Sequence, residues 1–240
     1  MNSHTSANVR VLIVDDHPFM RAGLAQTIND RSGMTVCGQA GNIPEALQLM
    51  GQHRPDLAVV DLSLGEESGL DLIKAIKDQW PGTKILVSSM HDETLFAERV
   101  LRAGALGYVN KGEPPDVFIS ALERVGTGQV YLSDRMTNRM LGRMLGENPQ
   151  QEGDPIAKLS NRELEVFELI GNGLVTKQIA ARLGLSPKTI ETYREHIKAK
   201  LNLANASELT RHAVQWVLER GRQTPSPTAP APEQDSSTST

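Results

Sequence analysis

Short apolar segments alternate five times with segments of helical periodicity in the first half of this 240-residue chain. Apolar strands separated by amphipathic helices are typical of a parallel sheet that helices cover on both faces. Residues 9–126 are therefore predicted to form an α/β domain with a five-stranded, doubly wound parallel sheet. The predicted strand and helix pairs are Val9–Val14 with Phe19–Ile28, Thr35–Ala40 with Pro44–Met50, Leu57–Val60 with Leu70–Ile76, Lys84–Val87 with Leu95–Leu101, and Gly107–Val109 with Val117–Val125.

The second half of the chain has helical periodicity alone. Residues 127–156 are predicted to be a linker that contains a helix at 133–145 and a polar hinge at Glu147–Pro155. Residues 224–240 are rich in Pro, Ser, Thr and Ala and are predicted to be disordered. Residues 157–221 are predicted to form a small all-α domain of four helices, namely Arg162–Gly171, Thr176–Leu183, Pro187–Leu201 and Ser207–Arg220.

The net charge of −4 conceals a difference between the two halves. Residues 1–130 contain 11 Lys and Arg against 16 Asp and Glu, whereas residues 159–223 contain 10 against 7. An acidic half suits a cation site and a basic half suits a polyanion. The excess of three positive charges in the second half is also within ordinary surface composition.

The sequence indicates neither a membrane protein nor a secreted one. No apolar run approaches the roughly 18 residues of a membrane span, and residues 1–5 lack the pattern of a secretion signal. The single cysteine, Cys37, cannot form an internal disulfide. We therefore expect a cytoplasmic protein without a membrane partner.

Aspartates follow two of the predicted strands at the point where each strand ends. Asp15 and Asp16 come directly after the first strand, and Asp61 comes after the third. Ligand-binding groups gather at the carboxyl ends of parallel strands, and three neighbouring carboxylates repel one another unless a cation joins them. The sequence therefore predicts a Mg²⁺ site, because this cation prefers oxygen ligands. Taken singly, each aspartate more often caps a helix or lies in a loop.

Two further polar residues end the remaining strands, Ser89 after the fourth and Lys111 after the fifth. A carboxylate can attack phosphorus and form an acyl phosphate if a metal ion and an ammonium group offset the charge of the transferred group. In this interpretation Asp61 is the nucleophile, and Asp15 and Asp16 hold Mg²⁺. Lys111 and the Ser89 hydroxyl contact the phosphoryl group. The alternative is a polar strand end at Ser89 and a solvated lysine at 111.

Four segments of residues 9–126 resemble the signature segments of response-regulator receiver domains, particularly those of the NarL/FixJ family. They are Val14-Asp15-Asp16-His17-Pro18, Val60-Asp61-Leu62, Ser88-Ser89-Met90-His91-Asp92 and Gly107-Tyr108-Val109-Asn110-Lys111. The resemblance implies a flavodoxin-like receiver fold, phosphorylation of Asp61 by a partner histidine kinase, and no enzymatic activity beyond weak autodephosphorylation. It also implies that Ser89 and Tyr108 change their packing on phosphorylation and so alter a dimerisation face. Static packing of Tyr108 against a helix is the alternative.

One loop departs from the family pattern. The family commonly has a Met-Pro pair after the acceptor aspartate, whereas this chain has Ser63-Leu64-Gly65-Glu66-Glu67-Ser68-Gly69. The metal ligand that the resemblance assigns to this loop is a backbone carbonyl, here that of Ser63, so a change of side chain does not remove it. The departure puts in doubt the stiffness of the loop and the lifetime of the phosphoryl group.

A helix-turn-helix is predicted around Gly184. This glycine permits a tight turn, Ser186 can cap the next helix and Pro187 fits the first position of that helix. The helix that follows has one apolar face and one polar face of mixed charge, as a helix in the major groove of DNA requires. A small helical bundle with a solvated polar face is the alternative.

Three segments across about residues 157–220 resemble LuxR-type DNA-binding domains: Leu159-Ser160-Asn161-Arg162-Glu163-Leu164-Glu165-Val166, Gly173-Leu174-Val175-Thr176-Lys177-Gln178-Ile179-Ala180 and Lys188-Thr189-Ile190-Glu191-Thr192-Tyr193-Arg194. The resemblance implies that the third helix of the domain enters the groove of double-stranded DNA and that the fourth helps the chain to dimerise. The implied base-facing residues are Glu191, Thr192 and Glu195. The implied phosphate contacts are Lys177, Lys188, Arg194, Lys198 and Lys200. The implied dimer contacts are Ser207, Leu209, Ala213 and Val217.

The residues leave three functions to weigh. The first is a transcription factor that a histidine kinase phosphorylates and that binds DNA as a homodimer. The second is a phosphohydrolase with an aspartate nucleophile, and the third is a regulator that binds DNA without phosphorylation. Ser63 stands where such a hydrolase has a second acid/base aspartate, and the six histidines are scattered. The first function is therefore favoured.

Overall fold

The computed structural model describes residues 8–31, 33–65, 67–145 and 155–222, so the predicted tail at 224–240 and most of the predicted hinge lie outside it. Its strands are β1 (Val9–Val14), β2 (Met34–Ala40), β3 (Leu57–Val60), β4 (Ser63–Leu64), β5 (Glu67–Ser68), β6 (Lys84–Ser89) and β7 (Gly107–Asn110). Five of them form a parallel sheet in the order β2-β1-β3-β6-β7. The predicted doubly wound parallel sheet is confirmed.

Helices alternate with these strands and then continue alone through the second half of the described chain. They are α1 (Pro18–Asn29), α2 (Ile43–His53), α3 (Gly69–Gln79), α4 (Glu93–Arg102), α5 (Pro115–Gly126), α6 (Asp134–Met144), α7 (Asn161–Gly171), α8 (Thr176–Leu183), α9 (Pro187–Leu201) and α10 (Ala206–Arg222). A short 3-10 helix at Pro155–Lys158 precedes α7. None of the helices in the described ranges is long and apolar enough to cross a membrane.

Alternate residues of each strand supply two separate apolar layers, as expected when helices cover both faces of a sheet. Val11 and Ile13 pack with residues of α1 and α5, such as Ile28. Leu12 and Val14 belong to a second cluster, which includes residues of α2, α3 and α4 and continues into α7–α10. β3 is therefore buried along its whole length, as are residues 11–14 of β1 and 85–89 of β6.

The loop after β3 forms a small hairpin that the sequence did not predict. β4 and β5 pair in antiparallel fashion, and Gly65 between them has a φ of 60°. The hairpin leads into α3, whose first residue packs directly against the end of β3. A Cβ atom on Gly69 would lie 2.0 Å from the carbonyl oxygen of Asp61. Only glycine fits this position, so the start of α3 fixes the backbone of Asp61.

The C-terminal helices begin and turn where the sequence signals predicted. Ser160 and Glu163 form a reciprocal capping box at the start of α7. Gly184 ends α8 in the left-handed conformation with a φ of 66°, and the side chain of Ser186 caps α9. α8 and α9 therefore form the predicted helix-turn-helix, and α7 and α10 pack against each other and against α9.

The two halves of the chain also contact each other. Arg99 of α4 donates hydrogen bonds to the carbonyl oxygen of Leu159 at 2.8 Å and to the side chain of Asn161 at 3.1 Å. On the same side of the sheet, the N–H of Ser133 donates to Glu93 at 2.9 Å and ties the segment before α6 to α4. The start of α7 is thereby held next to the carboxyl ends of the strands.

Replacement of Gly69 by alanine should disrupt this arrangement, because the added Cβ would overlap the Asp61 backbone. We expect Gly69→Ala to lower the free energy of unfolding by about 3 kcal/mol, at the upper end of ordinary overpacking costs. Gly51→Ala is the matched control, since a Cβ there meets no atom within 4 Å. Relief of the glycine entropy cost in α2 should raise stability by about 0.5–1 kcal/mol. Denaturant unfolding measures both, and equal stabilities would contradict the packing argument.

Candidate functional site

The three predicted aspartates meet at one edge of the sheet, because β1 and β3 are neighbours. Single side-chain ligand atoms of Asp15, Asp16, His17 and Asp61 lie within 4.8 Å of one another. Asp15 and Asp61 are almost fully buried, with 1% and 4% of their surface exposed. The backbone N–H of Asp61 donates to the carbonyl oxygen of Val14 at 2.9 Å and holds the two strand ends in register.

Lys111 is the cation of this cluster. Its Nζ lies 2.6 Å from Asp61 Oδ2 and 2.6 Å from Asp15 Oδ2, and its side chain is 4% exposed. The backbone N–H of Lys111 donates to the carbonyl oxygen of Ser89 at 2.9 Å, which fixes the start of the segment after β7. Burial alone would lower the pKa of Lys111, but the charges and hydrogen bonds of Asp61 and Asp15 outweigh it and raise the pKa. Lys111 therefore remains a cation.

The electrostatic environment of Asp61 opposes an unpaired negative charge. Burial raises the pKa of Asp61, and the charge and hydrogen bond of Lys111 only partly offset this effect. The negative charge of Asp15 raises the pKa further, whereas the backbone N–H of Ser63 donates to the carboxylate and lowers it. A second positive charge at the cluster would favour the ionised form of Asp61.

The aspartates have ligand atoms to offer a cation. Asp15 Oδ2 and Asp16 Oδ1 are buried within the cluster, where Lys111 Nζ lies 2.6 Å from the first and His17 Nδ1 lies 2.6 Å from the second. The second oxygens are used: Asp15 Oδ1 accepts the N–H of His17, and Asp16 Oδ2 accepts the N–H of Gly65. Hard, anionic oxygen ligands are those that Mg²⁺ takes in proteins. The residues present therefore fit this ion.

Ser89 and Tyr108 converge on the backbone of His91, beside the cluster. Ser89 Oγ accepts the N–H of His91 at 3.4 Å, and Tyr108 donates its hydroxyl proton to the carbonyl oxygen of His91 at 2.9 Å. Asn110 donates to the same carbonyl oxygen at 3.0 Å. Both Ser89 and Tyr108 are buried, and burial raises the pKa of Tyr108, so its hydroxyl remains a donor. His91 is thus a shared hydrogen-bond partner of the two residues.

The sequence analysis missed the partners of the His91 side chain. His91 Nε2 lies 3.0 Å from Ser63 Oγ and 3.1 Å from Glu165 Oε1 of α7. Burial would lower the pKa of His91, but the hydrogen bond and charge of Glu165 raise it above its ordinary value. Glu165 also accepts two hydrogen bonds, from Arg162 Nη1 at 2.7 Å and from Ser63 Oγ at 3.2 Å. The spacing of Arg162 and Glu165, three residues apart on one helix face, was the signal available in the sequence.

The predicted base-facing residues lie on an open face of α9. Glu191, Thr192 and Glu195 are exposed, whereas Ile190 and Ile197 are buried on the opposite side. Glu191 is held in place, because it accepts a hydrogen bond from Thr176 of α8 at 2.7 Å. Glu195 pairs with Lys198 at 2.9 Å. The face is polar, ordered and accessible.

The residues predicted to contact phosphates differ in their exposure and in their ion-pair partners. Lys177 and Lys188 are exposed, whereas the side chains of Arg194 and Lys198 are 15% and 18% exposed and each pairs with a glutamate of α9. Lys200 Nζ lies 2.6 Å from Glu163 Oε2 in α7. Lys200 therefore has a structural partner within the domain, and Lys188 is a phosphate candidate at the amino end of α9.

The predicted dimer contacts in α10 do not share one accessible surface. Leu209 and Ala213 are fully buried within the chain, Val217 is partly buried and Ser207 is exposed. A Cβ on Gly171 of α7 would lie 2.5 Å from both Ala213 O and Val217 Cγ2, so this side of α10 packs tightly on α7. Leu209 and Ala213 are consequently unavailable to a second chain in this conformation. The accessible side of α10 instead carries Arg211, Val214, Gln215 and Leu218.

Comparison with known proteins agrees with both halves of this description. Residues 11–123 match the response regulator receiver domain, and residues 157–213 match the bacterial regulatory proteins of the luxR family. The oxygen regulatory protein NreC of Staphylococcus carnosus is 37% identical over 214 residues, which span 88% of this chain and 99% of that protein. The chain is a DNA-binding response regulator of the luxR family.

Solved structures of this family have the same two parts. RcsB from Salmonella enterica serovar Typhimurium, bound to promoter P1flhDC in the presence of phosphomimetic BeF3-, is 25% identical, with a TM-score of 0.56 over 87% of this chain and 99% of that chain. A structure of two RcsB dimers bound to two parallel DNAs is also 25% identical, with a TM-score of 0.52 over 86% of this chain and 98% of that one. The response regulator described here therefore shares its fold with promoter-binding relatives.

The ion pair of Glu163 with Lys200 predicts a pH-dependent contribution to the stability of the DNA-binding domain. Burial would raise the pKa of Glu163, but hydrogen bonds from Lys200 and Ser160 outweigh it and lower the pKa. Its contribution to stability is therefore complete above the unfolded pKa of about 4.3 and is lost as pH falls through the folded value. We expect Glu163→Gln to lower the free energy of unfolding by about 1–2 kcal/mol near neutral pH, because it removes the charge that pairs with Lys200 and keeps only a neutral acceptor for the N–H of Ser160.

Denaturant unfolding across a pH series measures this effect. The difference between the wild type and Glu163→Gln should narrow as pH falls below about 4. Glu219→Gln removes an exposed carboxylate that accepts a hydrogen bond from Gln215 in the same helix, and it should change stability little. A difference for Glu163→Gln that stays constant over the acidic range would show that the carboxylate charge is not what stabilises the domain.

Proposed function

We propose that Asp61 accepts a phosphoryl group from a partner histidine kinase and that this modification controls DNA binding by the second domain. The observation that carries the proposal is the buried Lys111 ammonium, 2.6 Å from both Asp61 and Asp15. A cation in this position can stay with Asp61 and neutralise the oxygens of an incoming phosphoryl group. The alternative of a solvated lysine and an isolated helix-capping aspartate does not explain why these side chains are buried together.

In the proposed transfer, an Asp61 carboxylate oxygen forms a bond to phosphorus. The bond between phosphorus and the donor breaks, and its electrons leave with the donor. Mg²⁺, when bound, offsets negative charge on the aspartates and on the phosphoryl oxygens. Asp15, Asp16, Asp61 and the carbonyl oxygen of Ser63 would hold the ion, consistent with the closeness of the three aspartates, whose ligand atoms lie within 4.8 Å of one another.

Ser89 and Tyr108 are proposed to report the modification. Ser89 is buried near Lys111 and can donate its hydroxyl proton to a phosphoryl oxygen. Rotation of Ser89 Oγ toward the phosphoryl group would lengthen its 3.4 Å contact with the N–H of His91, the residue whose carbonyl oxygen accepts from Tyr108. A change at Ser89 would thus reach the packing of Tyr108, which is the kind of local event that biases a two-state surface.

The same arrangement argues against an independent enzymatic role. A hydrolase of this type needs a second acid/base group near the nucleophile, and the residue two positions after Asp61 is Ser63. We therefore propose that turnover of the acyl phosphate is limited to slow autodephosphorylation. A protein that binds chromosomal DNA also belongs in the cytoplasm, the location proposed for this chain.

The second domain is proposed to bind double-stranded DNA with α9 in the major groove and to do so as a homodimer. Lys177 and Lys188 are exposed for phosphate contact, and Glu191, Thr192 and Glu195 face the base edges. Since Leu209 and Ala213 are buried, the proposed contact between two chains moves to the accessible side of α10. RcsB, whose dimers bind DNA, supports the dimeric form.

The phosphoacceptor assignment can be tested by labelling. The chain incubated with Mg²⁺ and phosphoramidate should acquire a modification that is stable in acid but labile in alkali and hydroxylamine. Asp61→Asn should abolish the label and leave the fold intact, because the amide cannot form the acyl phosphate. Asp71→Asn, which alters an exposed aspartate of α3, should label as the wild type does. Labelling of Asp61→Asn would refute the assignment.

DNA binding can be tested through its salt dependence. Lys188→Ala should weaken binding to all duplexes by a similar factor and reduce the slope of log affinity against log salt by about one, because it removes one phosphate contact. Fluorescence anisotropy over a salt series measures both quantities. Lys74→Ala removes an exposed lysine that pairs with Asp71 in the receiver domain, and it should leave the slope unchanged. Equal slopes for Lys188→Ala and the wild type would exclude a phosphate contact at Lys188.

A further inference from the structure

The three side chains that face the bases in the proposed DNA complex are all placed to accept hydrogen bonds. Glu191, Thr192 and Glu195 are exposed on α9. An ionised carboxylate accepts hydrogen bonds and donates none. Thr192 has a hydroxyl proton, but it donates this proton to the carbonyl oxygen of Lys188 at 3.1 Å. The base-facing side of α9 therefore offers acceptors to the groove.

A surface of acceptors distinguishes the bases by their edges in the major groove. Cytosine presents the N4 amino group, and adenine presents the N6 amino group beside the N7 acceptor. Guanine presents two acceptors, N7 and O6, and thymine presents the O4 acceptor and a methyl group. A carboxylate that faces guanine or thymine gives up its hydration and gains no hydrogen bond, which is costly for a charged group. Cytosine is therefore the base that suits a carboxylate best.

Glu191 is held from a second helix. Thr176, the first residue of α8, donates its hydroxyl proton to Glu191 Oε1 at 2.7 Å. Arg194 Nε lies 3.7 Å from the other oxygen, Oε2. A carboxylate has about four lone-pair sites, so these contacts leave acceptors for a base. They also restrict the side chain before DNA arrives, which reduces the entropy lost on binding.

The second glutamate of this face has a weaker restraint. Glu195 pairs with Lys198, one turn along the same helix, at 2.9 Å. A pair between side chains of one helix at the surface restrains its members little. The bond from Thr176 instead joins the two helices of the helix-turn-helix, whose turn Gly184 makes possible. Glu191 is therefore the residue for which we expect the sharper base preference.

We propose that Glu191, positioned by Thr176, reads the N4 amino group of a cytosine in the DNA site of this chain. The proposal rests on the proposed binding of DNA through α9. Glu191 specifies the base, and Thr176 is a positioning residue that acts through Glu191. The alternative is that the bond between them stabilises the contact of α8 with α9 and has no part in base selection.

Selection of bound sites from random duplexes tests the proposal with the full chain, treated with phosphoramidate and Mg²⁺. Wild-type sites should contain a position at which cytosine is preferred about tenfold, the ordinary effect of one specific contact. Glu191→Ala should remove the preference at that position and keep the preferences elsewhere in the site. Glu191→Gln should shift it to adenine, because an amide can bond to adenine N6 and N7 together.

Variants of Thr176 separate positioning from stability. Thr176→Val keeps the shape and removes the hydroxyl, so the preference for cytosine should fall by about threefold, within the range of one hydrogen bond. Thr176→Ser keeps the hydroxyl and should retain the preference. Thr127→Val, the matched control, removes an exposed receiver hydroxyl that donates to the carbonyl oxygen of Arg124, and it should select wild-type sites. Weaker binding by Thr176→Val with an unchanged preference for cytosine would overturn the positioning role.

A modified duplex identifies which base of the pair is contacted. 7-Deazaguanine opposite the selected cytosine removes the N7 acceptor of guanine and leaves cytosine N4 in place. The wild type should bind this duplex as tightly as the unmodified one, because an acceptor on the protein makes no bond to N7. A loss of affinity would show that a donor contacts the guanine and would overturn the proposal.

The outcomes also separate this proposal from the function on which it rests. Salt-dependent binding by the wild type, with the same base preferences in Glu191→Ala, would overturn the role of Glu191 and leave DNA binding intact. If the wild type shows no salt-dependent binding to any duplex, the proposed function itself is wrong.

Discussion

The buried contact of the Lys111 ammonium with Asp15 and Asp61 is the interaction on which the rest of the receiver depends. Two carboxylates end adjacent strands in an almost water-free edge of the sheet, and without a cation they would repel each other. Lys111 comes from the fifth strand of the sheet, at its far edge. Three separate segments must therefore be correctly folded before the charges balance, which ties the chemistry to the integrity of the whole domain.

The hairpin of β4 and β5 extends this balance to the surface. Gly69 presses against the Asp61 backbone, and Gly65 links Asp16 to Arg162. A charged side chain of the aspartate cluster and one of α7 therefore hydrogen-bond to the same hairpin residue. The hairpin therefore forms part of the connection between the receiver and the DNA-binding domain.

Most of the sheet and much of the site could be predicted from the sequence, because they depend on the local periodicity of apolar residues. Apolar strands of four to seven residues fix the layers, and strand ends fix the positions of Asp15, Asp61 and Lys111. The hairpin was missed because a two-residue strand carries no periodic signal. The contact of Glu165 with His91 was missed because it joins residues 74 positions apart across two domains. Leu209 and Ala213 were assigned to a dimer surface because an amphipathic helix does not reveal which apolar side its own chain covers.

Close packing within the C-terminal helices determines how a signal can leave the receiver. Gly171 has no side chain, so α7 approaches Ala213 and Val217 of α10 closely. The ion pair of Glu163 with Lys200 joins α7 to the end of α9. A shift at the first turn of α7 cannot be absorbed inside the bundle. A displacement of α7 would therefore carry α9 and the accessible side of α10 with it.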